Sequence, residues 1–226
     1  MKILFFDIET VPTEQSLRDH GLLDSQVRLD EAEIIKKLSL SAATARILCL
    51  AYALEPPADS AVSVLGGQEP EIIQEFWKLA TETDLFVGHN LLDFDLRFIY
   101  QRSVIHWIKP SRDIPFARFQ NAPVFDTMHE WSKWGREHIS LDLLARVLGI
   151  ASPKASLDGS KVYPYLRDGR FPEICEYCSR DVETVRQIYR RLTFTATGRH
   201  LRGTKAQANG RRNQGLLAAA VKVNRR

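Results

Sequence analysis

Short apolar runs and amphipathic stretches alternate along most of the chain. The apolar runs predict strands, bounded by turn residues, at 2–9, 46–54, 61–65, 84–88 and 123–126. Apolar residues at helical spacing predict the longer helices, at about 70–82, 92–103 and 172–194. Three strands followed by alternating helices and strands indicate an α/β fold, with about five strands in a mixed sheet and helices on its faces.

Smaller signals refine this outline. Residues 14–40 are mostly polar with scattered Leu and Ile, which predicts a helical insertion, and residues 104–122 read as a loop. Pro70 suits the first turn of its helix. Thr127 with Glu130 predicts a capping box, and Ser140 a further N-cap.

Charge divides the chain into two parts. Residues 196–226 contain eight Lys and Arg and no acid, which leaves 23 basic against 28 acidic side chains in residues 1–195. We therefore expect a domain at 1–195 and a basic C-terminal tail at 196–226. The tail either contacts nucleic acid or another polyanion, or is simply a solvated end.

Composition indicates the number of domains and the cellular compartment. The 226 residues are 44% hydrophobic, enough for one domain with a full core. No run approaches the roughly 18 apolar residues of a membrane span, so we expect no membrane association. Three cysteines do not make a disulfide framework, which favours a reducing, cytoplasmic location.

The first candidate for chemistry is the carboxylate pair in "MKILFFDIETVP". Asp7 and Glu9 are two residues apart on a predicted strand, so both project from one face while Ile8 faces the other way. At ~4 Å in an effective dielectric of about 20, two such charges repel by roughly 4 kcal/mol. A hard cation such as Mg²⁺ or Mn²⁺ would offset that repulsion, although a solvated strand end would also tolerate the pair.

The second candidate is "VGHNLLDFDLRFIYQR", residues 87–102. A buried strand ends at Gly88, where the backbone could let a ligand come close. Asn90 follows, and Asp95 lies near the start of the next helix, where it could face the strand ends. Asp93 and Asp95 would diverge by about 200° on a helix, so only one can face the site.

The third candidate is "EYCSRDVETV", residues 176–185. Tyr177 and Asp181 are four residues apart and would share one face of a helix. We expect Cys175 and Cys178 to pack rather than to bind zinc, since no second cysteine pair exists. The basic segment "SKWGREH", residues 132–138, could hold phosphates, and Trp131 and Trp134 could stack on bases or lie in the core.

The order Asp-x-Glu, Asn-x₃-Phe-Asp and Tyr-x₃-Asp resembles the DEDD 3′–5′ exonucleases of the ribonuclease H-like superfamily. The tyrosine marks the DEDDy branch, because Glu176 stands where the DEDDh branch has its histidine. "FFDIET", "VGHNLLDFDLRFI" and "YCSRDV" are similar to the predicted exonucleases related to family B DNA polymerases. The resemblance covers about residues 1–195 and leaves no room for a polymerase.

The resemblance implies a role for each matching residue. Four carboxylates would hold two divalent cations, Mg²⁺ or Mn²⁺, and these are Asp7, Glu9, Asp95 and Asp181. Tyr177 would orient the attacking water, and Thr10 and Asn90 would lie near the terminal nucleotide. The implied fold is a ribonuclease H-like mixed sheet with one antiparallel strand and helices on both faces.

The implied activity is removal of nucleotides from the 3′ end of DNA, at single-stranded or mismatched ends, in proofreading or repair. A separate polymerase or repair protein is the possible partner. Two alternatives stay open at this point. The enzyme could instead be a 3′–5′ exoribonuclease, since the same acids would serve RNA, or the fold could be a non-catalytic nucleic-acid-binding module.

Overall fold

A computed structural model describes residues 1–22, 29–151 and 157–195 of the chain. Met1–Tyr189 form one compact unit. The basic segment 196–226 lies outside the described residues, and so do positions 23–28 of the predicted insertion. Within the described ranges, no helix is both long and apolar enough to cross a membrane.

Five strands form one mixed sheet in the order β3-β2-β1-β4-β5. The strands are β1 (Ile3–Pro12), β2 (Ala45–Glu55), β3 (Ser63–Gly66), β4 (Leu85–Gly88) and β5 (Val124–Asp126). β2 runs antiparallel to both of its neighbours, whereas β1, β4 and β5 pair in parallel. The prediction of a mixed ribonuclease H-like sheet with one antiparallel strand is confirmed.

Eight α-helices of the described residues connect or follow the strands. They are α1 (Glu14–Asp19), α2 (Leu29–Ser39), α3 (Glu69–Thr81), α4 (Asp95–Ile105), α5 (Thr127–Trp131), α6 (Leu141–Val147), α7 (Val162–Arg167) and α8 (Phe171–Leu192). α1 and α2 occupy the polar stretch that was predicted to hold helices. The pattern of hydrophobic positions did not reveal α7, which is only six residues long.

The central strand β1 separates two layers of side chains. Leu4, Phe6 and Ile8 belong to the main hydrophobic core, which also contains buried side chains of α3 and α4. On the opposite face, the ring of Phe5 packs edge-on against Tyr189 of α8, with ring centroids 5.4 Å apart. Helices therefore cover both faces of the sheet, and the alternation along β1 follows from the two-residue period of a strand.

A buried ion-pair network connects three elements that pack in the core layer. Glu69, at the start of α3, accepts hydrogen bonds from the backbone N–H of Ile47 at 2.7 Å and from Nε of Arg102 at 2.8 Å. Arg102 also donates to the carbonyl of Ala42 at 2.9 Å. These bonds join β2, α3 and α4, so the buried carboxylate contributes to the fold itself.

Two local predictions were wrong. The N-cap of α5 is Asp126 rather than Thr127, because the Asp126 carboxylate accepts from the backbone N–H of Met128. The Thr127 hydroxyl instead donates to the carbonyl of Gly88 at 3.0 Å. Helix α4 begins at Asp95 and not near residue 92. Residues 89–94 form a turn in which Asn90 has a left-handed backbone, with φ of 64°.

The space beside Gly88 was expected to admit a ligand, but in the structure a side chain occupies it. A Cβ at this position would lie only 2.5 Å from the side chain of Leu91, so the glycine accommodates Leu91 rather than an approaching ligand. The N-cap predicted at Ser140 is present, and Pro70 lies in the first turn of α3, as predicted.

Candidate active site

Asp7 and Glu9 project from the same face of β1, as the strand period predicts. They lie toward α8, and their carboxylate oxygens fall within 4.8 Å of each other and of the Cys178 sulfur. The register of β1 against β2 shifts directly after Glu9. Such an irregularity in strand pairing changes the direction of the neighbouring side chains, and it is common beside active sites.

Asp95 reaches the same place from the other side of the sheet. It is the first residue of α4 and only 4% exposed. Its Oδ1 accepts a hydrogen bond of 3.1 Å from the backbone N–H of Ile8. Asp95 therefore lies against the backbone between Asp7 and Glu9, although it is 87 residues away from Ile8 in the sequence.

Tyr177 and Asp181 complete the cluster from α8. Both side chains are buried, with 8% and 7% exposed. The two side chains share a hydrogen bond, and the negative charges of Glu9 and Asp7 also act on the phenol. Their four-residue spacing places them on one helical face, as predicted. The structure thus brings all five predicted catalytic side chains to one position.

The electrostatics of the cluster are dominated by burial and like charge. Burial raises the pKa of Asp95 to about 8, and the carboxylates of Asp126 and Asp181 add to the rise against the opposing Ile8 hydrogen bond. Burial and the neighbouring acids also raise the pKa of Glu9 and of Asp7 well above the usual range.

Three of the acids lack a cationic partner within the part of the chain that the structure describes. Within residues 1–22, 29–151 and 157–195, the carboxylates of Asp7, Glu9 and Asp95 form no ion pair with Lys, Arg or His. Clustered hard oxygen donors with unbalanced negative charge fit divalent cations such as Mg²⁺ or Mn²⁺. The arrangement can therefore hold a metal ion that interacts with a phosphate.

Cys178 is a neighbour of the cluster that the sequence did not single out for the site. Its thiol lies 3.4 Å from both the carbonyl oxygen and the Oδ2 of Asp7. Burial, followed by the negative charges of Asp7 and Glu9, raises the pKa of this thiol despite a hydrogen bond with Cys49. Cys178 remains a protonated packing group beside the acids, in line with the packing role predicted for it.

Thr10 and Asn90 have visible structural contacts. The Thr10 hydroxyl donates to the carbonyl of Ser39 at 2.7 Å, at the end of α2. The backbone N–H of Asn90 donates to Oδ1 of Asp126 at 2.9 Å. Contact of either side chain with a terminal nucleotide stays a prediction.

Asp126 supports the site and was missed as a functional candidate. This carboxylate is 1% exposed and accepts from the backbone N–H groups of Asn90 and Leu92 as well as capping α5. It therefore fixes the turn that delivers Asp95 to β1. An aspartate at the end of a buried strand, directly before a helix, was the available signal.

The sheet order and the carboxylates along β1, α4 and α8 define an α/β protein of the ribonuclease H-like class. The chain belongs to the family of predicted 3′–5′ exonucleases related to the exonuclease domain of PolB, whose family model matches residues 44–221. Asp95, Tyr177 and Asp181 lie inside the matched range, whereas Asp7 and Glu9 precede it. No curated protein matches the chain.

Proposed function

We propose that this protein is a metal-dependent 3′–5′ exonuclease that removes nucleotides from single-stranded or mismatched 3′ ends of DNA, in proofreading or repair. One observation carries the proposal. Four carboxylates from β1, α4 and α8 meet beside Tyr177, with raised pKa values for Asp7, Glu9 and Asp95 and no protein cation paired to those three among the described residues.

The four carboxylates of Asp7, Glu9, Asp95 and Asp181 would hold two divalent cations, Mg²⁺ or Mn²⁺. Cations bound there would supply Lewis acidity to the scissile phosphate and to the leaving 3′ oxygen. The carboxylates are carried by a central strand and by two helices packed on the sheet, so their positions are set before substrate binds. Such pre-organisation favours a transition state in which negative charge develops.

Tyr177 would orient the attacking water rather than deprotonate it. Burial, followed by the charges of Asp181 and Glu9, raises the pKa of the phenol, so the hydroxyl stays protonated at neutral pH. A phenol that donates a hydrogen bond to Asp181 still has oxygen lone pairs that can accept a hydrogen bond from water. This geometry suits positioning, which contributes to rate by aligning the water with the phosphorus.

The substrate would be nucleic acid with a free 3′ end, with DNA favoured over RNA, and a separate polymerase or repair protein is the expected partner. The cytoplasm is the expected compartment, since all three cysteines are free thiols.

The test is digestion of matched DNA and RNA oligonucleotides, labelled at the 5′ or the 3′ end, with Mg²⁺, with Mn²⁺ and with EDTA. A 5′ label should yield a descending ladder and a 3′ label should yield mononucleotides at once, on DNA faster than on RNA and only with metal. Asp181→Asn should remove the activity, and Asp84→Asn, at an exposed acid, is the matched control.

Faster digestion of RNA would replace the DNA assignment with an exoribonuclease. Binding of the oligonucleotides without turnover in either metal would contradict the enzymatic proposal and leave a nucleic-acid-binding module.

A further inference from the structure

A cavity lies beside the turn that delivers Asp95 to the carboxylate cluster. It has a volume of about 400 Å³, and its lining includes Asp93, Arg118, Phe119, His129, Trp134 and Arg136. None of these residues belongs to the group of four acids and Tyr177. The basic segment 132–138, for which the sequence left base stacking and core packing open, supplies part of the wall.

One wall of the cavity is aromatic. The Trp134 ring stacks on the ring of His129, with centroids 4.9 Å apart and an interplanar angle of 4°. The ring centroid of Phe119 lies 5.5 Å from that of Trp134, with the two rings tilted by 45°, and Phe119 is 74% exposed. Both Phe119 and Trp134 have left-handed backbones, with φ of 63° and 62°. The chain therefore presents these rings at turns. Phe119 is open to a flat ligand, whereas Trp134 is half-buried, packs partly against the main core and offers the ligand only its remaining exposed surface.

The rim of the cavity is mainly positive. Arg118 and Arg136 are exposed and bring two guanidinium groups to it. Asp93 orients part of the wall, because its Oδ1 accepts from Arg118 at 3.2 Å and its Oδ2 lies 3.1 Å from Nε2 of His129. Two guanidinium groups against one carboxylate leave the rim complementary to phosphate.

The turn before α4 connects the cavity to the carboxylate cluster. Asp93 lines the cavity, and Asp95, two residues later, lies against β1. Asp126 holds the preceding turn through Asn90 and lies 3.9 Å from His129, counted from its Oδ2 to Nε2. A strand whose 3′ end is at the acids therefore has this cavity as a neighbouring place for its next nucleotides.

We propose that the cavity binds a nucleotide of the substrate strand upstream of the scissile phosphate. Its base stacks against Phe119 and Trp134, and its phosphate pairs with Arg118 and Arg136. Base stacking on aromatic rings is tolerant of sequence, which suits an enzyme that shortens any strand. This inference rests on the proposed exonuclease function and extends it, because it assigns the residues that grip single-stranded substrate away from the reacting phosphate.

The experiment compares a single-stranded decanucleotide with a small phosphodiester that has no upstream nucleotide, the p-nitrophenyl ester of thymidine 5′-monophosphate. The ratio that is measured is kcat/KM for the decanucleotide divided by kcat/KM for the ester. Trp134→Ala should lower this ratio about tenfold, which is the effect expected from losing one stacked base. Trp134→Phe should restore most of the ratio. Arg118→Ala with Arg136→Ala tests the rim at exposed positions, where folding is not at risk.

Trp107→Ala is the matched control, since Trp107 is 95% exposed, also has a left-handed backbone and does not line the cavity. It should leave the ratio as it is in the native protein. A second measurement is the anisotropy of the labelled decanucleotide with the full chain in Ca²⁺. There Trp134→Ala and the double arginine variant should each raise Kd about tenfold.

The two proposals fail differently. If the native protein binds the decanucleotide but cleaves neither substrate, the exonuclease proposal fails, and loss of binding in the variants still supports the cavity. If the protein cleaves and neither the ratio nor Kd changes in either variant, the cavity assignment is overturned and the exonuclease proposal stands. If the native protein neither binds nor cleaves, both are overturned.

Discussion

Two buried acidic sites in this molecule have opposite electrostatics. Glu69 is 5% exposed, and Asp95 is 4% exposed. Around Glu69, Arg102 supplies two hydrogen bonds and His106 a third. Around Asp95, the charged neighbours that act on it are other carboxylates.

Their pKa values move in opposite directions for this reason. Burial by itself would raise the pKa of Glu69, but the hydrogen bonds from Arg102, Ile47 and His106 outweigh it and lower the pKa. Burial raises the pKa of Asp95 to about 8, and nearby acids add to the rise. A buried acid with its own protein cation holds elements together, whereas buried acids grouped without one suit a cation from solution.

The largest expected effect is on turnover, from removing one acid of the cluster. Asp7→Ala should reduce hydrolysis on the order of 10³-fold or more, because a metal site contributes several kcal/mol of transition-state stabilisation. The fold should be as stable in EDTA as the native protein, or slightly more stable, since a repulsive charge is gone. Single-turnover cleavage in Mn²⁺ measures the loss of hydrolysis, and thermal unfolding in EDTA measures the stability. Near-native cleavage at saturating Mn²⁺ would reject the site.

At the Glu69 site, a substitution is expected to lower the stability of the fold, unlike the substitution of Asp7. Arg102→Met should destabilise the fold by about 3–5 kcal/mol, because it leaves a buried carboxylate without its cation. Denaturant unfolding measures the loss. Glu69→Gln with Arg102→Met should recover part of it, and a small loss in the single variant would show that the pair is not what fastens α3 to α4.

An intermediate effect is expected at Tyr177. Tyr177→Phe keeps the buried ring and removes only the hydroxyl, so kcat should fall about 10–10³-fold, as for a positioning group. Metal affinity should change little, in contrast to Asp181→Ala. Calorimetric titration with Mn²⁺ separates the two variants, and an equal loss of metal binding in both would make the phenol a structural partner of the acids.

The smallest expected effect is a pH dependence of the metal-free fold. An unfolded aspartate titrates near pH 4, whereas folded Asp95 titrates near pH 8. Between those values the folded state keeps a proton that the unfolded state has lost, so stability in EDTA should fall as pH rises. We expect a loss of at least about 1 kcal/mol between pH 5 and pH 8.

Two additions sharpen that measurement. Asp95→Asn should flatten the decline, and Mn²⁺ at pH 8 should restore stability because it binds only the folded state. Loss of the Glu69 pair cannot mimic this slope, since a lowered carboxyl pKa removes stability as the pH falls rather than as it rises. Stability that is constant from pH 5 to pH 8 in EDTA would contradict the raised pKa assigned to Asp95.

Much of the fold and of the candidate site followed from local periodicity. The strand period put Asp7 and Glu9 on one face, and the helix period put Tyr177 and Asp181 on another. The apolar runs located all five strands of the described sheet. The N-cap of α5 did not follow from local sequence, because Asp126 and Thr127 are adjacent and both residue types are good N-caps. Contacts with residues distant in the chain decide between them.

The sequence by itself determined which side chains share a face within one strand or one helix, since those directions depend only on backbone geometry. Only the tertiary structure decided which faces meet. The contact of Asp95 with Ile8, the position of Cys178 beside Asp7 and the stacking of Trp134 on His129 depend on sheet order and on how helices and turns pack. Packing joins residues far apart in the chain, and the periodicity of a single element carries no information about its neighbour.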